Sequence, residues 1–379
     1  MITRTFDRKP PSGGFLRSKT CRFPSYCSQA PALTSRSMDP KIPTPTGKVY
    51  YPDYLQLDKV LGAQAPESDR LGVKAHDEML FIIIHQTYEL WFKQILHEVG
   101  SVIEIFNDEL VDDNGGELNV AVHRLERVHT ILQVLVHQID VLETMTPLDF
   151  LDFRDLLRPA SGFQSLQFKI LEARLGLRME QRFGKHYYTS QLRPEHKASI
   201  EELEKLPTLF ELVQGWLERM PFLDKRFWPE GELAYFDHLK EIYRGSLVQG
   251  EEGNMELWEK IFHIGSPERR LSPTACRHAV FIMLYRDEPI LQQAFRFLSA
   301  LLDLDEGLAQ WRYRHVNMVN RMIGLRVGTG GSTGKNYLRG ALDSHYIFQE
   351  IADLSSFLID RRRLPALPEK LKNALSFRG

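Results

Sequence analysis

The chain has 379 residues, of which 43% are hydrophobic and 26% are charged. This composition is typical of a globular protein with a large core, and the length allows one large domain or two ordinary ones. The formal net charge of -2 excludes a global attraction to nucleic acid or to an anionic membrane surface. The three cysteines form no CxxC pair, which favours a reducing compartment, and we expect a cytoplasmic protein.

The first 38 residues contain seven Lys or Arg residues and one acidic residue, Asp7. Such a composition is typical of a mitochondrial transit peptide, but a disordered tail has it too, and Met38 is an alternative start. Pro40, Pro43 and Pro45 then form a short extended linker. Residues 1–47 are therefore interpreted as a disordered or targeting-like extension.

Helical spacing of apolar residues predicts an all-α fold, in which residues 48–72 form an N-terminal arm. The more charged and turn-rich residues 184–272 predict a smaller helical subdomain inserted into a helical core domain, 73–379. Thr146 is expected to cap a helix that has Pro147 at its first position. The apolar run Met79–Ile95 contains charged residues and predicts a buried helix, not a membrane span. The predicted core helices are His76–Phe106, Leu118–Leu142, Thr146–Leu157, Phe163–Leu175, Pro273–Leu301, Leu304–Ile323 and Leu338–Asp360.

One face of the first long helix carries Phe81, His85, Tyr88 and Phe92 at offsets of four, seven and eleven residues. His85 is thus a single imidazole in an apolar stripe. It is either a core histidine with one hydrogen bond or a polar group that meets a ligand in an apolar pocket.

His315 has a similar setting, because Trp311, Met318 and Met322 share its helix face. A neutral imidazole within an apolar shell suits an iron ligand, and the nearby arginines could offset haem propionates. A core histidine in a helix rich in Trp and Met is the alternative interpretation.

The glycine-rich stretch 328–334 follows this helix. A dinucleotide fingerprint would need Gly where Thr333 stands, and a P-loop would need Gly where Thr329 stands. Both phosphate motifs therefore fail. The stretch is either a helix connector or a loop whose backbone and hydroxyls approach a small ligand.

Phe150 and Arg154 lie one turn apart on one predicted helix face. This pair is suited to an amino acid, because arginine binds carboxylates in a bidentate manner, although a surface salt bridge is the more usual use. A two-iron carboxylate site would need two Glu-x-x-His motifs, and only Glu126-Arg-Val-His129 is present.

These motifs together resemble the tryptophan 2,3-dioxygenase family over about residues 48–360. The resemblance rests on His76-Asp-Glu-Met-Leu-Phe-Ile-Ile-Ile-His85-Gln, Phe150-Leu-Asp-Phe-Arg154, Pro159-Ala-Ser-Gly-Phe-Gln-Ser, Trp311-Arg-Tyr-Arg-His315 and Gly328-Thr-Gly-Gly-Ser332. The chain departs from the family in the loop, where Ser332-Thr333 replaces a pair that is more often two serines.

The resemblance implies a haem b enzyme, with one haem per subunit, that converts L-tryptophan and O₂ to N-formyl-L-kynurenine, the first step of the kynurenine pathway. In that family pattern His315 binds the haem iron and His85 contacts the indole N–H. Arg154 binds the substrate carboxylate, Thr329 contacts the ammonium and carboxylate end, and Phe81 and Phe150 sandwich the indole.

The same resemblance implies a homotetramer in which an arm from a neighbouring subunit, including Tyr51, Tyr54 and Leu55, reaches the substrate site. Ser161 and Gly162 complete the expected substrate-binding set. No nucleic acid or membrane partner is expected. The alternative is a haem-binding protein of the same fold that has lost or changed its catalysis, such as a sensor or an enzyme for another indole.

Overall fold

The computed structural model describes residues 47–107, 115–179, 182, 187–326, 328, 340 and 345–375. All regular secondary structure in these residues is helical, so the predicted all-α class is confirmed. The chain divides into two compact units, 1–62 and 63–379. This division falls inside the predicted arm 48–72. The proposed limits of the arm and of the subdomain 184–272 stay predictions.

The described part of the first unit, residues 47–62, contains two short helices, α1 (Tyr51–Leu55) and α2 (Leu57–Leu61). Gln56 joins them with a left-handed backbone, φ 54°, which turns the chain between the helices. The predicted arm residues are exposed, since Tyr51 keeps 69% and Tyr54 keeps 73% of its surface accessible. Leu55 is also exposed.

The second unit is built around three long helices, α4, α5 and α14, which lie against one another. The α-helices described in this unit are α3 (Glu67–Leu71), α4 (Glu78–Asn107), α5 (Gly116–Leu142), α6 (Pro147–Arg154), α7 (Leu166–Leu175), α8 (Tyr187–Ser190), α9 (Pro194–Leu203), α10 (Leu209–Glu218), α11 (Glu232–Arg244), α12 (Asn254–Glu259), α13 (Pro273–Leu284), α14 (Gln292–Ile323), α15 (Gln349–Asp353) and α16 (Glu369–Leu375). No helix of the described residues is both long enough and apolar enough to cross a bilayer.

Helix α14 is one continuous helix of 32 residues, so the predicted break between Leu301 and Leu304 is wrong. The buried residues Leu298, Leu301, Leu304 and Leu308 stay in helical phase across that point, and no glycine or proline lies between Leu301 and Leu304. The true break lies earlier, where Pro289 starts a short 3₁₀ turn after α13 has ended at Leu284. The last predicted helix, Leu338–Asp360, lies partly outside the described residues, and its described part contains α15 and a 3₁₀ turn, Leu354–Phe357.

Helix α6 begins as the sequence predicts, with Thr146 as its N-cap and Pro147 at its first position. The Asp149 backbone N–H donates to the Thr146 hydroxyl at 3.3 Å, and the Thr146 N–H donates to the Asp149 carboxylate at 2.8 Å. This reciprocal capping box satisfies two amide groups at the helix start. The helix ends at Arg154, one turn earlier than predicted, where a 3₁₀ turn continues the chain.

The closest approach of α5 and α14 depends on Gly307. A Cβ atom added at Gly307 would lie 3.0 Å from Cδ1 and 3.2 Å from Cβ of Leu132. We therefore expect Gly307→Val to reduce the free energy of unfolding by about 1–3 kcal/mol, because the extra carbon atoms overfill a packed interface. Urea unfolding measures this change.

Gly100→Val on α4 is the matched control, because a Cβ atom there would have no neighbour within 4 Å. We expect it to change the unfolding free energy far less. Equal losses of stability in the two variants would contradict a specific role for the small residue at the α5–α14 crossing.

Candidate active site

The first wall of the site is the α4 face that carries Phe81 and His85. The His85 Nδ1 atom lies 2.7 Å from the carbonyl oxygen of Phe81. A carbonyl only accepts hydrogen bonds, so the proton is assigned to Nδ1, and in the neutral ring Nε2 is left as an acceptor. The His85 side chain is accessible to solvent, yet the surrounding protein still lowers its pKa by burial. Both observations describe a neutral ring that still reaches solvent.

Aromatic rings from α4 and α6 extend this wall. The ring centroids of Phe81 and Phe150 lie 5.7 Å apart in a stacked arrangement, and Phe81 lies 4.1 Å from the His85 ring. Phe153 joins them edge-on, at 5.5 Å from Phe81 and 5.4 Å from Phe150. Two rings that sandwich an indole would stand about 7–8 Å apart, twice a carbon contact distance. Phe81 and Phe150 therefore form one continuous wall in this conformation.

The second wall is the turn of α14 that carries His315. Its imidazole lies parallel to the indole of Trp311, with 5.3 Å between ring centroids and 4° between planes. Burial, together with a smaller contribution from His85, lowers the pKa of His315 to about 4. His315 is therefore neutral at neutral pH. The effect of His85 on His315 means that the two histidines, 230 positions apart in the sequence, lie within electrostatic range of each other.

Helix α4 also contacts the second wall directly. Tyr88 and Phe92, one and two turns beyond His85, contact Trp311 edge-on at 6.2 and 5.8 Å between ring centroids. The Tyr88 hydroxyl donates to the Leu135 carbonyl at 2.8 Å, which ties α4 to α5. The single stripe predicted on α4 thus serves two purposes. Its first two turns carry Phe81 and His85, and its later turns support the helix that carries His315.

Arg154 ends α6 beside this wall, and only 4% of its surface is accessible. Ser161 and Gly162 follow seven and eight residues after Arg154 along the chain. The Ser161 hydroxyl accepts a hydrogen bond from the Phe163 N–H at 3.3 Å, which caps a 3₁₀ turn, Gly162–Gln164. Among the described residues, no hydrogen bond or ring contact joins Ser161 or Gly162 to the wall of Phe81 and His85.

The three arginines around His315 are engaged by acidic side chains of neighbouring helices. Arg314 pairs with Asp140 and Glu143 at the end of α5, and Arg321 lies 3.7 Å from Glu143. Arg312 is buried and donates to Glu172 at 2.8 Å. The suggested role of these arginines toward haem propionates is therefore not supported by their contacts.

Sequence reasoning missed Phe153, Glu172 and His345, which also lie around this site. The i, i+3 spacing of Phe150 and Phe153 is a signal that could have found the third ring of the wall. Glu172 offered no such signal, because a glutamate in an amphipathic helix usually faces solvent. Thr329, which was expected to contact the substrate, lies outside the described residues.

The two-iron alternative finds no donor set in the described part of the chain. No group of three or more His, Cys, Asp or Glu side chains there could hold a metal ion. Glu126 pairs with Arg296 at 2.7 Å, and His129 Nδ1 contacts the Asp303 carbonyl at 2.8 Å. The Glu-x-x-His motif therefore joins α5 to α14.

Residues 40–358 match the family model described as tryptophan 2,3-dioxygenase. The chain belongs to the tryptophan 2,3-dioxygenase family. It is 44% identical over 353 residues to a tryptophan 2,3-dioxygenase of Alteromonas mediterranea, covering 86% of this chain and 97% of that protein. The tryptophan 2,3-dioxygenase of Dictyostelium discoideum is 40% identical over 370 residues, covering 90% and 92%, and that of Xenopus laevis is 42% identical over 345 residues, covering 85% of each chain.

Family membership confirms the resemblance found in the sequence and makes the chain an oxidoreductase of the dioxygenase type. The match spans both walls of the site, since residues 40–358 include Phe81, His85, Arg154 and His315. The geometry adds what a sequence match alone does not give, which is the protonation of the two histidines and the packing that holds them.

Proposed function

We propose that this family member is a haem-dependent enzyme that inserts both oxygen atoms of O₂ into the 2,3-bond of the L-tryptophan indole. The product would be N-formyl-L-kynurenine, which contains every atom of the two substrates. The observation that carries the proposal is the pair of neutral histidines within electrostatic range of each other, His85 with Nε2 as an acceptor and His315 stacked on Trp311.

The residues at the second wall fit haem b, at one per subunit. A haem iron needs one protein nitrogen in its neutral form, and burial keeps His315 neutral. Trp311, stacked on His315, fixes the plane of the imidazole and supplies an apolar surround. When bound, the haem iron supplies the redox chemistry that side chains lack and that triplet O₂ requires. His315 would be the residue that holds the iron.

The first wall suits the indole part of the substrate. Phe81 and Phe150 offer an apolar aromatic surface against which an indole ring can stack. The Nε2 atom of His85 can accept the indole N–H, because Nδ1 already donates to the Phe81 carbonyl. An indole N–H is a very weak acid, so we propose that His85 orients the substrate and is not an obligatory base.

The amino-acid end of the substrate needs a cation and polar groups. Buried Arg154 follows the aromatic wall on the same helix, and a buried guanidinium pairs strongly with a carboxylate. We propose that Ser161 and Gly162, in the next turn, line this end of the site. Thr329 is proposed to contact the ammonium and carboxylate groups, on the family resemblance alone.

A homotetramer is proposed in which Tyr51, Tyr54 and Leu55 of a neighbouring copy complete the site. Support comes from apolar side chains left exposed along two core helices. On α5, Val120, Val134 and Val141 lie at heptad spacing, and 49% of Val141 is accessible. On α4, Ile83 and Leu90 are seven residues apart, and 54% of Leu90 is accessible. Exposed apolar stripes of this kind mark surfaces covered in assemblies.

The first prediction concerns the haem ligand and the reaction together. His315→Ala should remove bound haem, because the site loses its one proposed iron ligand, and product formation should disappear with it. Haem content is measured from the Soret band. Activity is measured by adding L-tryptophan and O₂ to reduced, haem-loaded protein and following the absorbance of N-formylkynurenine.

His238→Ala is the control, since His238 is an exposed residue of α11. It should keep both haem and activity. A His315→Ala protein with full haem content and an unchanged Soret band would refute the ligand assignment. Stable haem in the unaltered chain with no product from tryptophan would favour a haem protein with lost or changed catalysis.

The second prediction is a pH dependence set by His85. Because burial lowers the pKa of this ring, kcat/KM for tryptophan should fall only below pH 6.5, as protonated Nε2 ceases to accept the indole N–H. His85→Ala should lose about fivefold to tenfold in kcat/KM, the worth of one hydrogen bond, and should lack this acidic limb. A variant profile with the same acidic limb as the unaltered protein would assign that limb to another group.

The third prediction concerns Arg154. Arg154→Ala should raise the KM for L-tryptophan by about 30- to 1,000-fold, equivalent to about 2–4 kcal/mol for one side of a buried charged pair. Tryptamine, which has no carboxylate, is the matched ligand. Its inhibition constant should stay nearly the same in the variant, whereas an equal loss for both ligands would point to general disruption of the pocket.

A further inference from the structure

A buried group of charged side chains lies directly behind the His315 turn, centred on Glu172 of α7. One carboxylate oxygen accepts a hydrogen bond from Arg312 at 2.8 Å, and the other accepts one from Arg182 at 2.5 Å. His345 Nδ1 lies 3.7 Å from the same carboxylate. Glu172 is 5% accessible, and its three partners are each 7% accessible or less. We call these four residues the Glu172 cluster.

The cluster belongs to a contact in which α7 supports two consecutive residues of α14. Phe168 lies 4.8 Å from Trp311 between ring centroids, and Glu172, one turn further along α7, pairs with Arg312. Trp311 stacks on His315, and Arg312 lies one turn before His315. Helix α7 therefore holds the segment of α14 that presents the imidazole, by one aromatic and one ionic contact.

The other side of the Arg312 guanidinium contacts the backbone of His345. The second guanidinium nitrogen of Arg312 donates to the His345 carbonyl at 2.9 Å. Two turns earlier on α14, the Asp305 carboxylate accepts the backbone N–H groups of Ile347 at 2.8 Å and Phe348 at 2.6 Å. Residues 345–348 thus run along α14 and are fixed at two points, which restrains rotation of the helix about its axis.

The charges explain why Glu172 is needed. Burial opposes ionisation of Glu172, but Arg182, His345 and Arg312 outweigh it, and the pKa of the carboxyl lies well below its ordinary value. A carboxylate between two buried guanidinium groups compensates both of them. If it were neutral, two arginines would remain buried beside His315 with less compensation, which is costly in a low-dielectric interior.

We propose that Glu172 is a positioning residue of the active site, which through Arg312 fixes the turn of α14 that presents His315. It does not touch substrate or haem. It acts on the direction of the imidazole, so the inference rests on the proposed function insofar as His315 binds haem. Residues that hold a metal ligand in place this way typically affect metal affinity about 10- to 100-fold.

Glu98 provides a matched control for a merely structural role. It is a buried carboxylate on α4, 3% accessible, and it accepts a hydrogen bond from Arg127 at 2.8 Å. It lies thirteen residues beyond His85, about 20 Å along the helix at 1.5 Å per residue. Glu98→Gln and Glu172→Gln therefore make the same change at two buried carboxylates, of which Glu172 pairs with Arg312 of α14 and Glu98 with Arg127 of α5.

The test uses haem-loaded full-length protein. We expect both variants to lower the melting temperature, but only Glu172→Gln to speed haem loss to an acceptor apoprotein, by about 10- to 100-fold. Glu172→Gln should also shift the iron–histidine stretching band of the ferrous protein. Amide exchange should rise in the peptide that contains residues 312–316, and Glu98→Gln should leave all three readouts unchanged. The proposal is overturned if Glu172→Gln releases haem no faster than Glu98→Gln and keeps the band in place.

Arg312→Lys covers the case in which Glu172→Gln does not fold. Lysine keeps the positive charge beside Glu172, but its single ammonium group cannot reproduce the two-sided contact with Glu172 and the His345 carbonyl. Faster haem loss in this variant supports the proposal, and an unchanged rate overturns it. The His315→Ala measurement distinguishes a failure of the proposed function from a failure of the positioning role alone. If that variant keeps haem, the ligand assignment fails, whereas if it loses haem and the Glu172 variants behave as controls, only the positioning role fails.

Discussion

Within one turn, helix α14 carries a buried charged arginine, Arg312, and a neutral histidine, His315. The site depends on a structure that accommodates both. Arg312 is charged and buried, so it requires a carboxylate and a carbonyl around it. His315 is neutral, and its environment must avoid stabilising a positive charge. Glu172 meets the first need through its ion pair with Arg312, and the imidazole is left stacked on Trp311.

Burial is the main reason that both histidines of the site are neutral, and they differ in what fixes the ring. The Nδ1 proton of His85 is held by a carbonyl of its own helix, which leaves the orientation of Nε2 fixed by local geometry. His315 has a flat aromatic neighbour, Trp311. His85 thus keeps Nε2 as a hydrogen-bond acceptor, and His315 stays neutral, as the proposed iron ligand must be.

Local signals in the sequence predicted much of the fold but only part of the site. The capping box at Thr146 and the apolar stripe of α4 are encoded within a few residues, and both appear as expected. The continuity of α14 was missed because polar residues near Asp303 resembled a break, while packing against α5 keeps the helix intact. Bringing His85 near His315 required the family resemblance, since no local rule links residues so far apart. The sequence did not indicate Glu172, because its role depends on Arg182 and Arg312, which lie on other segments of the chain.

The self-contact between Phe81 and Phe150 has a consequence for recognition. Their ring centroids lie 5.7 Å apart, so the indole expected to lie between them would have to replace this contact with two new ones. The aromatic surface proposed to bind the substrate is therefore also a contact within the protein. A ligand with a smaller or less flat ring would lose this contact without recovering it, so the contact itself would contribute to discrimination among amino acids.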